Sequence, residues 1–322
     1  MPKVSVIIPT YNQSRMVQQA IESVLRQTHN DLEILVVNDG STDDTEEVIK
    51  KIKDDRVKYF YKKNGGGASA RNYAFDRISG EFAAFLDHDD LWRENHLKEM
   101  LGALNSNPEY GIAYCQYENH SPDGKTSTGV AESRYFSGAI TKHYYGKMPD
   151  ILPSTTVFRS DVLRGFYHDE SAENAGDIEL FLRMSAKIKF LFVPSNTVIR
   201  RLTVGSMTYN SNDIIFYTVL NILERFYYVF GGDKVVPERL AMKKLGRLCR
   251  GIARKHLKLH QRKAALYFLN KAIEYCPFNL KYYKDTVRAL LISKKTDTMP
   301  NWQTPKTLPP YIIANGRIYK GN

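Results

Sequence analysis

Residues 3–38, KVSVIIPTYNQSRMVQQAIESVLRQTHNDLEILVVN, decide the fold. The first seven are an almost unbroken apolar, β-branched run. Residues 14–27 place Met16, Ile21, Val24 and Leu25 at near-helical spacing, and residues 32–38 form a second apolar run. That order is β-α-β, and strands apolar on both faces need helices above and below the sheet. The pattern continues outward with a helix over 41–52, whose acidic first turn and basic last turn suit the helix dipole. A strand at VKYFY (57–61), a helix from about Ala68 to Arg77, a strand at EFAAFL (81–86) and a helix from about Glu94 to Leu104 follow. The expected fold is α/β, a doubly wound, mostly parallel sheet with helices on both faces.

In such sheets ligands bind beyond the carboxyl ends of the strands. Four polar segments fall at those ends: PTYN (9–12), NDGSTDDT (38–45), KNGGGASARN (63–72) and DHDD (87–90). Asp39 with Gly40 to Thr42 suits a turn and helix cap as well as a ligand contact. Gly65 to Gly67, followed by Ser69 and Arg71 at a helix start, forms a candidate phosphate cradle. Asp90 reads as the cap of a helix beginning near Leu91, and His88 as pointing away from any metal held there. Asp87 and Asp89, two apart on an extended segment, face one side, where their repulsion calls for a cation. Hard oxygen ligands suit Mg²⁺ or Mn²⁺.

The 322 residues, 43% hydrophobic and 25% charged, suit a globular α/β domain with an appendage. Three scattered cysteines, Cys115, Cys249 and Cys276, fit neither a disulfide framework nor a zinc site and favour a reducing cytoplasm. There is no signal-type apolar segment at the start and no run of about 18 apolar residues, so the expected location is cytoplasmic, peripheral on the cytoplasmic face of the membrane. Residues 209–322 hold 21 Lys and Arg against 7 Asp and Glu, while the first 208 are slightly acidic. So uneven a distribution points to an anionic partner for the C-terminal third.

The segments VSVIIPTYN, VVNDGSTDDT, NGGGASARN and FLDHDDLW, in this order and spacing, resemble those of the family 2 glycosyltransferases with a GT-A fold. The resemblance covers residues 3 to about 208. It implies an inverting, metal-assisted transfer of a sugar from a nucleoside diphosphate sugar, UDP-linked by family frequency, to an acceptor hydroxyl. Carried over by motif, Pro9, Thr10 and Tyr11 line the nucleotide base pocket, and Asp39 bonds the base. Arg71 lies near the base, ribose or diphosphate, Asp87 contacts the ribose or the metal hydration shell, and Asp89 ligates the metal. In relatives a Glu-Asp pair precedes an LxxR-like helix; the matching stretch is NAGDIELFLRM (174–184), which gives Asp177 as general base, with Gly176 in place of the Glu and Glu179 and Glu173 in reserve. Helix capping by Asp177 is the alternative reading. An Arg-x-His segment of relatives corresponds to RRLTVGSMT (200–208), where Thr203 replaces the His and Arg201 and Ser206 are left to meet the diphosphate.

Residues 118–153, rich in Gly, Ser, Tyr, His and Lys, are the expected acceptor side; Tyr117, Tyr135, Tyr144 and Tyr145 are candidates to stack on sugar rings, although surface or core positions are the commoner explanation of such tyrosines. Beyond residue 208 the composition changes. Residues 213–231 are long and apolar but interrupted by Glu224 and Arg225, the pattern of a packed helix. Residues 238–265 form a basic amphipathic helix suited to an anionic membrane surface or, equally, to a helix packed on its own domain with a solvated basic face. Residues 260–293 resemble a single tetratricopeptide-type hairpin, and the Pro-rich tail lacks periodicity. The domain expectation is therefore 1–208 catalytic, 209–295 helical and basic, 296–322 extended or disordered. Three functions follow in order: a glycosyltransferase acting on a glycan, lipid-linked or protein acceptor; a catalytically degenerate nucleotide-sugar-binding subunit; and, last, a nucleic-acid binder, for which no specific module is present.

Overall fold

Strands β1 (Val4–Thr10), β2 (Leu32–Asn38), β3 (Val57–Tyr61) and β4 (Phe82–Phe85) make the parallel half of one sheet, in which Val4 pairs with both Leu32 and Phe82. Every residue of β1, β2 and β4 is buried, as strands covered on both faces must be. Helices α1 (Ser14–Leu25), α2 (Thr45–Lys50) and α3 (Gly66–Phe75) connect them. The computed structural model describes residues 3–129, 134–172, 175–202, 214–291, 311–314 and 317–320.

The second half of the sheet is mixed. It contains β5 (Asp90–Trp92), β6 (Ile112–His120), β7 (Thr126–Thr128), β8 (Thr156–Arg159) and β9 (Phe190–Arg201), with helices α4 (His96–Ser106), α5 (Thr141–Lys147), α6 (Ser160–Leu163) and α7 (Gly176–Ser185) between them. The order is β3-β2-β1-β4-β8-β6-β9-β5, with β7 beside β6. β8 runs antiparallel to β4 and β6, β9 parallel to β6, and β5 antiparallel to β9. The β6–β9 register shifts after Cys115, opposite Val193, so Pro194 falls in the irregular stretch where its missing N–H costs no ladder bond.

The expected parallel sheet is therefore the β3–β4 half of a larger mixed sheet. The helix expected over 41–52 is shortened to Thr45–Lys50 because Asp43 accepts from the Thr45 N–H (3.1 Å) and hydroxyl (2.5 Å), holding the preceding residues as a turn. Asp90 does not cap a helix: it opens β5 opposite Arg200, and the helix starts only at His96.

α8 (Ile214–Tyr228), α9 (Glu238–Lys258), α10 (Arg262–Tyr275) and α11 (Leu280–Leu291) follow, and Tyr311–Ala314 pairs antiparallel with Arg317–Lys320 in the tail, as β10 and β11. The helix expected across 238–265 stops at Lys258, and His260 takes a left-handed φ of 57° before α10 begins. Glu224 and Arg225 are buried in α8, where Glu224 accepts from Lys271 Nζ (3.2 Å) and the Tyr275 hydroxyl, which fits a packed helix. No helix among the described residues is long and apolar enough to cross a membrane. The described residues divide into two compact units: α5 joins α8–α11 in the second, and all other named elements form the first.

One buried acid staples the parallel strands. Glu33 on β2 accepts from the Ser5 hydroxyl (2.6 Å), the Ser79 N–H (3.0 Å) and Lys58 Nζ (2.5 Å). Burial pushes its carboxyl up, but the bonds from Lys58, Ser5 and Ser79 outweigh that and hold it at about 2. A carboxyl lowered on folding stabilises the protein above its unfolded value of 4.5, and that contribution is lost as pH falls through about 2. Glu33→Ala leaves those donors without their acceptor, and urea unfolding at neutral pH is expected to show a loss of about 3 kcal/mol.

Candidate active site

The carboxyl ends of β1 to β4 bring the four polar segments together. Pro9 and Thr10 end β1 and are buried, while Tyr11 is exposed just beyond. Asn12 splices the first loop to the second: its N–H donates to Ser41 Oγ (2.9 Å), and its Oδ1 accepts from the Thr42 N–H (2.7 Å). It does so at a φ of 50°, a region asparagine tolerates better than most residues. Asp39 is buried and accepts from the N–H groups of Gly65 (3.1 Å) and Gly66 (2.7 Å) and from Lys62 Nζ (2.6 Å). The glycine loop thus spends two of its N–H groups on Asp39, a correction to the phosphate-cradle expectation. Gly40 has a φ of 80°, and a Cβ there would meet Asn64 N at 2.8 Å, so only glycine fits this crossing.

The aspartates after β4 sit on a tight turn closed by the Asp90 N–H donating to Asp87 O (3.0 Å). Their convergence comes from this turn and not from strand alternation, and it includes a third member. Asp87, Asp89 and Asp90 each offer an oxygen within 4.8 Å of the others. Asp87 is paired with Arg71. Burial, then the neighbouring Asp87, push the Asp89 carboxyl up; burial, then Asp89 and Asp87, push Asp90 well up. His88 turns toward β1, its Nδ1 3.1 Å from Pro9 O.

Two residues hold this turn. Ser154, fully buried, donates to Asp90 Oδ2 (2.5 Å), accepts from the Asp87 N–H (3.1 Å), and offers its carbonyl to Trp92 Nε1 (2.8 Å). Nothing in its sequence context, LPST, marks it. Ser154→Ala leaves Asp90 without this donor, and a loss of about 1–3 kcal/mol is expected in thermal unfolding. Arg201 reaches over from the end of β9. Its Nε donates to Asp89 O (2.5 Å), Nη2 to His88 O (3.0 Å) and Met16 O (3.3 Å), and Nη1 to Gln19. It thus clamps the turn's own carbonyls. Thr203 and Ser206 lie outside the described residues.

Asp177 is the second residue of α7, whose N-cap is Ala175, so it does not occupy the capping position. Burial pushes its carboxyl up; Arg71 draws it down and Asp87 raises it, so it shares the electrostatic surroundings of the aspartate turn. Of the reserve candidates, Glu179 is buried in a two-point pair with Arg183, and Glu173 lies outside the described residues. A Cβ at Gly176 would meet only ordinary contacts, His168 Nδ1 at 3.6 Å and Ala68 Cβ at 3.8 Å, so the missing Glu is not a steric exclusion. Beneath Asp177, His168 Nδ1 lies 3.3 Å from Gly176 O, and Asn72 bonds both the N–H (2.8 Å) and the carbonyl (3.0 Å) of His168. Burial and then Arg71 keep that imidazole well below its usual range, hence neutral.

The four candidate tyrosines are buried, which is the core reading of them and not the sugar-stacking one. Tyr117 donates to Asp150, Tyr135 stacks on Phe192 at 4.6 Å, and Tyr144 and Tyr145 are enclosed in the second unit. The residues at the turn fit a divalent cation: they supply only hard oxygen donors, and two of the carboxyls are disfavoured as anions by burial and by each other.

A family model described as Glycosyl transferase family 2 matches residues 5–166. An uncharacterized glycosyltransferase of Rickettsia typhi is 30% identical over 248 residues, 75% of each chain. Two other rickettsial glycosyltransferases are matched over only 22% and 30% of their own length, so this chain corresponds to part of those longer relatives. Among solved structures, S. aureus TarS 1–349 in complex with UDP-GlcNAc superposes with a TM-score of 0.59 at 17% identity, covering 98% of this chain and 95% of that one. The mannosyltransferase PcManGT of Pyrobaculum calidifontis, in complex with GDP-Man and Mn²⁺, gives 0.52 at 18% identity over 90% and 87%. The chain has a GT-A-type fold and belongs to glycosyl transferase family 2.

Proposed function

We propose that this family member transfers a sugar, with inversion, from a UDP-sugar to a hydroxyl of a glycan, glycolipid or glycoprotein, assisted by Mn²⁺ or Mg²⁺. The observation that carries the reading is the three-carboxylate turn at the strand ends beside Asp39, Arg71 and Asp177. The TarS and PcManGT complexes support it, one with UDP-GlcNAc and the other with GDP-Man and Mn²⁺.

In this mechanism Pro9, Thr10, Tyr11 and Asp39 hold the base, and Arg71 with Asp87 orients the ribose and diphosphate. Asp89, with Asp87, would hold the cation, whose contribution when bound is to offset the negative charge developing on the departing diphosphate. Asp177 accepts the acceptor hydroxyl's proton as that oxygen attacks the anomeric carbon, and the bond to the diphosphate breaks on the opposite face. Burial suits it to this role, since a carboxyl raised toward neutrality is a better base than an exposed one. Arg201 keeps the aspartate turn in shape through its carbonyls.

Gly176 in place of Glu favours a second reading, a nucleotide-sugar-binding subunit that does not transfer. Release of nucleoside diphosphate from UDP-glucose, UDP-GlcNAc, UDP-galactose and GDP-mannose with Mn²⁺ separates the two. Turnover of a UDP-sugar supports transfer; binding without turnover, with or without candidate acceptors, supports the subunit; neither binding nor turnover rejects both.

A further inference from the structure

α11 is dressed inside out. Its inward face carries Tyr282, Asp285 and Ala289, with Asp285 accepting from Arg250 Nε of α9 (2.6 Å). Its apolar residues face out: Leu280 is 80% exposed and Val287 57%, with Tyr283 and Leu290 also exposed, and Phe278 in the preceding turn is 95% exposed. A single exposed leucine is ordinary, but a row along one helix with a phenylalanine at its tip marks a contact surface. Lys281, Lys284 and Arg288 are exposed among them.

The same unit presents a second, continuous feature. Along α9, Arg239, Lys243, Arg247, Arg250, Arg254 and Lys258 recur every three or four residues, opposite a buried face that includes Ala241, Leu245, Cys249 and Ile252. All of this row but Arg250 is exposed. The α9 row lies against the side of α11 opposite its exposed apolar residues: Arg250 Nε donates to Asp285 (2.6 Å), and a Cβ at Gly246 of α9 would meet the Tyr282 hydroxyl oxygen at 3.0 Å, so α11 is seated on the basic side of α9 with its apolar row turned away from that helix. From Glu238 to Leu291 there are 14 Lys and Arg against 3 acidic residues.

We propose that the basic row of α9 and the apolar row of α11, led by Phe278, together dock the second unit on an anionic phospholipid bilayer. The cations meet the headgroups, while Phe278, Leu280 and Val287 enter the boundary with the acyl chains. Charge argues against the alternative of a second copy, because pairing this face with itself would oppose two basic rows. These residues belong to the second unit and none is a residue of the transferase site, so the proposal stands or falls independently of the reaction assigned to that site. Residues 238–265 suggest membrane contact by their spacing alone, and the fold adds the apolar row of α11.

The test is co-sedimentation of the full chain with phosphatidylcholine vesicles, with and without phosphatidylglycerol. Binding only to the anionic vesicles, weakened by salt, is expected. Lys243→Gln with Arg247→Gln is expected to weaken it about thirtyfold. Phe278→Ser with Leu280→Ser, both exposed and thus compatible with folding, is expected to reduce it and to abolish the residual binding at high salt. No binding to anionic vesicles overturns the proposal. So does equal binding to neutral ones, insensitivity to the Phe278 and Leu280 changes, or a concentration-dependent dimer dispersed by those same changes.

Discussion

Asp177→Asn is expected to lower kcat by about 10²–10⁴-fold while leaving donor affinity within a factor of about three, because a positioned general base contributes in that range to the chemical step alone. The amide matches the carboxylate in shape and keeps the second position of α7 filled, so folding is not the cause of the loss. The acid limb of the pH–rate profile adds a signature that capping cannot imitate. Burial raises the Asp177 carboxyl above 3.8, so wild-type kcat/KM falls as pH drops through that raised value. The variant is expected to lose this limb along with its rate. Full activity with only lowered helix stability would leave Asp177 a helix-end residue.

Asp89→Ala is expected to give effects of opposite sign on stability and activity. Burial and Asp87 raise the Asp89 carboxyl, and Asp89 in turn raises Asp90. Removing it relieves a repulsion, and without added metal the variant is expected to melt at the same temperature as the wild type or higher. Activity with Mn²⁺ is expected to fall about 10³-fold, the scale of losing electrostatic stabilisation of a departing group. A structural aspartate would lower both together. The same reasoning makes thermal stabilisation by Mn²⁺ large in the wild type and small in the variant.

The parallel half of the sheet is legible in the sequence because its strands are buried on both faces and its first helix repeats at 3.6 residues, leaving two distinct periods in one short stretch. The mixed half leaves no such trace. β5 has three residues, and β6 and β9 alternate unevenly around a register shift that includes Pro194. Their pairing depends on contacts far apart in the chain, which local patterning cannot carry.

The site is legible to a similar degree. The clustering of Asp39, Arg71, Asp87 and Asp89 follows from the rule that loops at strand ends converge, and they do converge. How they converge does not follow. Asp87 and Asp89 meet through a turn, Asp39 is held by the glycine loop, and Arg201 grips carbonyls of the aspartate turn. Ser154 and His168 are single polar residues in unremarkable surroundings, and only the folded chain brings them to Asp90 and to the start of α7. The C-terminal helices show the same limit. Their basic row follows from spacing, but which face of α11 turns outward is set by packing.

The most direct test of the central claim, that the aspartate turn binds a nucleotide through a divalent cation, is calorimetry of UDP with the wild type and with Asp89→Ala, each in Mn²⁺ and in chelator. UDP binding by the wild type in Mn²⁺ is expected, with loss of that binding in chelator and its loss in the variant under both conditions. Binding that is unchanged by chelator or by the substitution, or no binding by the wild type in Mn²⁺, would contradict it.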